Sequence, residues 1–174
     1  MEKPKETLME RMTHEGGLAG TAALVGANHK RIRQMDLNFL QDGDVFEMPQ
    51  DDESFGSQKF GTNYAFFFLV ETQNGPAPVY MSQFAKSARL ANEDGSPKLD
   101  ANNRQMWSYS GGSCFEVYSS AATVSGAYRA LQKYAKDNKK KIKVNTRRVH
   151  AIVRDFTTNE DYPKDVTLYD FNWV

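Results

Sequence analysis

Between Arg129 and Arg148 the chain carries nine cations, Arg129, Lys133, Lys136, Lys139, Lys140, Lys141, Lys143, Arg147 and Arg148, against one anion, Asp137. A block this dense is a candidate phosphate track, because each phosphate it neutralises releases counterions and makes binding depend on salt. A solvated helix face balanced by acidic loops elsewhere explains the block equally well, since charge runs alone are weak evidence for a polyanion. Read as a track, it places Lys139, Lys140, Lys141, Lys143, Arg147 and Arg148 on phosphates. Trp107, Tyr109 and Tyr80 are the companion stacking candidates, each able to contribute roughly 1–3 kcal/mol per base. Near the last residue, Tyr169, Phe171 and Trp173 alternate with Asp170 and Asn172. That aromatic face is either core, with Asp170 and Asn172 in water, or a further stacking surface.

No catalytic chemistry is legible. Gly16, Gly17, Gly20 and Gly26 have neither a preceding strand nor a βαβ unit around them, as a dinucleotide loop needs. His14, His29 and His150 are scattered without metal-ligand spacing. Cys114 is the single cysteine and has no local histidine, so it reads as a small core residue. The acidic set Asp42, Asp44, Glu47, Asp51, Asp52 and Glu53 could hold a divalent cation, but loops of this composition are usually only solvated. It could also mimic nucleic acid and meet the basic block of a neighbouring copy. The expectation is a protein that is not an enzyme and that uses no cofactor or metal.

The whole-chain balance limits how charge can act. Lys plus Arg equals Asp plus Glu at 22 each, so any polyanion contact must come from a local concentration of charge. One cysteine excludes an intrachain disulfide and fits a reducing compartment. The opening Met1-Glu2-Lys3-Pro4-Lys5-Glu6 does not read as a secretory leader, and no run nears the ~18 apolar residues a bilayer requires. The expected location is cytoplasmic, or inside a virion assembled there, with no membrane partner.

The elements that must position these residues follow from periodicity. Residues 1–35, with glycine-rich and basic stretches, read as an N-terminal arm, and 36–174 as one domain. Val45 to Met48 is a short strand stopped by Pro49. Tyr64 to Val70 is a continuous apolar run of strand length. Gln73-Asn74-Gly75-Pro76 turns it back into Pro78 to Phe84, a hairpin. Residues 88–103 are polar and read as a long surface loop. Val124, Ala127, Tyr128, Leu131, Tyr134 and Ala135 recur at helical spacing, capped by Thr123 or Ser125 and ending near Asn138. Two strands follow, over 141–154, with a possible bulge, and 166–173. The eleven Phe, eight Tyr and two Trp favour sheet over helix elsewhere.

In order, this is a strand, a hairpin, a helix and two strands. The order resembles that of OB-fold single-stranded nucleic-acid-binding proteins, particularly the divergent ones of phages and mobile elements. The resemblance implies a mainly β (α+β) fold: a five-stranded OB-like barrel with a helix between strands three and four, preceded by the arm. It implies single-stranded DNA or RNA as partner, met by the strand two and three face and its loops. The alternative is a phage structural or assembly protein forming homo-oligomers through its N-terminal arm and polar loop.

Overall fold

The turn at Gln73 and Asn74 joins the two strands of the firmest local signal. In the computed structural model, which describes residues 39–60, 63–155 and 157–174, β3 (Asn63–Thr72) pairs antiparallel with β4 (Gly75–Tyr80), Phe68 opposite Val79 and Val70 opposite Ala77. The hydroxyl of Thr72 donates to the Gly75 carbonyl at 2.7 Å and tightens the turn. Before them lie β1 (Val45–Phe46) and β2 (Phe55–Phe60), and β2 completes a three-stranded sheet in the order β2-β3-β4. A 3-10 turn at Met81–Ala85 leads into β5 (Ser87–Leu90) and then β6 (Trp107–Tyr109). The helices α1 (Cys114–Ser119) and α2 (Val124–Asn138) follow, and the chain continues in β7 (Ile142–Asp155) and β8 (Glu160–Trp173).

The second sheet is organised on β7. One of its edges pairs with β8 along the full length, from Ile142 opposite Trp173 to Asp155 opposite Glu160, without the expected bulge. Its other edge takes β1 at one end and β5 at the other, and β6 pairs with β5. Gly111 then reaches the outer edge of β8 in a single parallel bridge to Asp170. Around it the Asp170 carboxylate accepts from Gly111 N and the Asn172 side-chain oxygen from Ser113 N, both at 3.0 Å. The outer edge of β8 is thus partly satisfied rather than left open for another strand.

This corrects the five-stranded OB-like barrel. The described residues form two antiparallel sheets, neither closed into a barrel, and both helices follow the sixth strand rather than the third. The miscount has local causes. Directly after the acidic residues Asp51 to Glu53 comes β2, whose Gly56, Ser57, Gln58 and Lys59 carry no apolar alternation. The expected loop over 88–103 holds all of β5 but Ser87, followed by isolated bridges from Ala91 to Pro97 and from Leu99 to Gln105. The expected N-terminal arm, residues 1–35, lies outside the described residues.

The core lies between the two sheets and α2. Thr123 caps α2 by accepting from Gly126 N at 3.0 Å, and Lys139 ends it in the left-handed conformation, φ 52°. Its inward stripe buries Ala127, Tyr128, Leu131 and Ala135. The Tyr128 ring meets Phe55 at 4.5 Å and Phe68 at 5.4 Å between centroids. Phe84 stacks on Phe171 at 4.1 Å, so the aromatic face of β8 is core, while Asp170 and Asn172 are half-buried against Gly111 and Ser113 and not simply in water. Cys114 is fully buried here, and burial pushes its thiol up, away from ionisation near neutrality. A thiol-reactive chromophore at about pH 8 is expected to label it only after denaturation. Rapid native labelling of one thiol would contradict this packing.

Candidate nucleic-acid interface

Alternation along β6 sends Trp107 and Tyr109 to one face and Ser108 to the other. Trp107 is 46% exposed and Tyr109 61%, large values for aromatic rings on a paired strand. Residues directly opposite in a ladder share a face. Trp107 is opposite Arg89, Arg89 opposite Ile152, and Ile152 opposite Pro163, so one row crosses four strands. By the same alternation, Arg148, His150 and Arg154 of β7 lie on the face that carries the two aromatics.

Charge on this face is mixed but favours cations. Arg89 and Arg154 both approach Asp161, at 3.0 and 3.9 Å. His150 Nδ1 lies 2.6 Å from an Asp165 carboxylate oxygen. Arg148 is exposed and makes no ion pair with a described residue. The exposed ion pairs are weak enough in water to exchange for phosphate contacts.

The remaining expected contacts divide into groups. Lys139, Lys140 and Lys141 cluster at the C-terminal end of α2, where with Lys136 they line a groove of about 270 Å³ alongside Glu47, Met48 and Gln50. Lys141 is 3.5 Å from Glu47, whereas Lys136, Lys139 and Lys140 have no ion pair with a described residue. Lys143 is exposed on the opposite face of β7 from Arg148, across from Asn172 and Val45. Arg147 shares that opposite face and acts within the fold. It donates to Ser108 Oγ at 2.8 Å and to the Tyr109 carbonyl, and its Nε lies 3.5 Å from Asp170. It therefore braces β6, and with it both exposed rings.

Tyr80 is a correction. It is 2% exposed, with its ring against Phe39 and Phe67, so no base can stack on it. Its place in a strand of consecutive apolar residues hid which face it would take. Conversely, Arg89 and Arg154 escaped the reading of the sequence. Arg89 alternates with Ala88 and Leu90, a strand signal masked by the polar residues that follow.

Five members of the acidic set are engaged structurally, Glu47 with Lys141 and the four aspartates within the fold. Asp42 accepts from Thr146 N at 2.7 Å, buried Asp44 from Gln41 N and the Asn74 amide, both at 2.8 Å, and Asp51 from Ser54 N at 2.9 Å. Asp52 bonds Arg129, whose guanidinium holds its carboxyl below the usual range. Among the described residues no group of three or more His, Cys, Asp or Glu is placed to hold a metal ion. Among them, too, no helix is long and apolar enough to cross a membrane. Compared with protein-family models, curated proteins and solved structures, the chain matches none.

Proposed function

We propose that the chain binds single-stranded nucleic acid, taking bases on Trp107 and Tyr109 and phosphates on the arginines of the same sheet face. The observation that carries the reading is the exposure of both rings on one side of β6. Two residues apart on a strand, they stand about 7 Å from each other. Stacking on such rings tolerates any base, whereas a duplex keeps its base faces covered. Arg148, which makes no ion pair with a described residue, and the arginines sharing Asp161 supply positive charge beside them.

Fluorescence anisotropy with labelled single-stranded DNA, single-stranded RNA and duplex DNA tests this. Single strands are expected to bind, with log K falling against log salt by about 0.7 per phosphate contacted. Duplex DNA is expected to bind more weakly. Absence of single-strand binding even at low salt would remove the proposal.

A second reading, an assembly protein whose copies associate, is favoured by another exposed pair. Tyr64 and Phe66 on β3 are 59% and 39% exposed, with ring centroids 6.3 Å apart. They share the face of core residues Phe68 and Val70, so the core-facing side of this hairpin continues past the core. Light scattering over a range of concentrations separates the readings, since a monomer at high concentration contradicts association.

A further inference from the structure

We infer that the binding site continues along β7, from the Trp107 and Tyr109 face to the lysine groove at the end of α2. Its ligand is then one polynucleotide strand long enough to span both. This rests on the reading of the aromatic face as a base-stacking site.

The inference comes from a break in the alternation of β7. Lys143 and Asn145 face water while Ile142 and Val144 are buried. Arg147 and Arg148 are then exposed in succession, and after them it is His150 and Arg154 that face water. Two consecutive exposed residues in an unbroken ladder mean that the solvated side passes from one face of the strand to the other. Twist in a long two-stranded ribbon produces this. The core shows the same exchange: Ile142 and Val144 pack in the main cluster with Phe171, whereas Ala151 and Leu168 join Ala88 in a second one on the other face.

Through this exchange the solvated side keeps a series of cations. Lys141, just before the strand, and Lys143, Arg147, Arg148 and Arg154 within it follow one another along the chain. Carboxylates oppose the far end of this series, at Asp161 and Asp165, and Asp170 sits beside Arg147 in its middle. The near end opens on the groove, where Glu47 is the one carboxylate among four lysines. A polyanion is therefore held most strongly at the lysines. From Lys141 to Ile152, in the row of Trp107, the eleven residue steps span roughly 36 Å at about 3.3 Å each. Single-strand grooves commonly take about 4–16 nucleotides, so a track of this length suits a strand and exceeds what two stacked bases need.

The test is length dependence. Labelled oligothymidylates of about 3 and about 12 nucleotides are titrated by anisotropy, with oligouridylates of the same lengths to separate DNA from RNA. The longer strand is expected to bind at least about 10-fold more tightly per site, with a steeper dependence on salt. In the Lys139→Glu, Lys140→Glu variant that advantage is expected to disappear. Thermal melting establishes that this variant is folded, and the comparison of lengths in the unaltered chain needs no variant. If the short strand binds and the long one gains nothing, the track is overturned while the stacking site stands. If neither binds, both are overturned.

Discussion

Replacing Trp107 and Tyr109 together by Ala is expected to weaken binding of single-stranded DNA by at least about 30-fold, from roughly 1–3 kcal/mol per stacked base. Both rings stand largely in water, so their removal takes little from the core. The melting temperature should accordingly move by only a degree or two, as for surface substitutions within about 0.5 kcal/mol. Replacement by Phe is expected to recover much of the affinity, because stacking needs the aromatic face and not the polar edge. Unchanged affinity of the double Ala variant would remove the sheet face from the site. An equal loss in the Phe variant would point to hydrogen bonds from the indole and phenol instead. Arg147→Ala distinguishes support from contact. By releasing Ser108 and the Tyr109 carbonyl it should weaken binding through displacement of β6, with less change in salt dependence than loss of Arg148.

Gly112→Ala is expected to destabilise the fold by about 2–4 kcal/mol. Gly112 has φ +99°, where a side chain is strained, and an added Cβ would stand 2.1 Å from the Phe171 carbonyl oxygen. The strain alone is worth about 1–2 kcal/mol. The rest arises because the clash is with backbone of a buried strand, which cannot rotate away. Gly43→Ala is the control, since Gly43 has φ +85° but nothing within 4 Å of the added carbon. Chemical denaturation of both should show a clearly larger loss at Gly112. Equal losses would mean that the segment from Ser110 to Ser113 does not pack on β8 as described. The position matters for function as well, because this segment follows directly on β6 and fixes where its exposed rings stand.

Local rules carried the parts of the fold that depend on neighbours in sequence. The hairpin around Asn74, the Thr123 cap and the helix to Asn138 follow from turn chemistry and helical spacing. The two closing strands were legible in their alternating cores, though β8 begins at Glu160, six residues before Val166. Its extension through Asp161, Pro163 and Asp165 carries no apolar pattern and is held by pairing with β7. Likewise β2 exists because a neighbouring strand supplies hydrogen-bond partners, and the short alternation in β5 is completed by pairing with β6 and β7.

For the site, sequence by itself determined that cations and aromatics are both abundant and where each falls along the chain. It also determined that Trp107 and Tyr109 would share a side if their segment were a strand. Only the tertiary structure decided which sides meet. Pairing of β5 with both β6 and β7 brought Arg89, Arg148 and Arg154 to the face of the two rings. Packing against Phe39 and Phe67 removed Tyr80. Arg147, on the other face of β7, reaches Ser108 and the Tyr109 carbonyl and braces β6, while Arg148 stands on the face of the two rings. Adjacent residues of a strand point to opposite faces, and which face meets water depends on what packs against the sheet, a long-range property that periodicity within one segment does not encode.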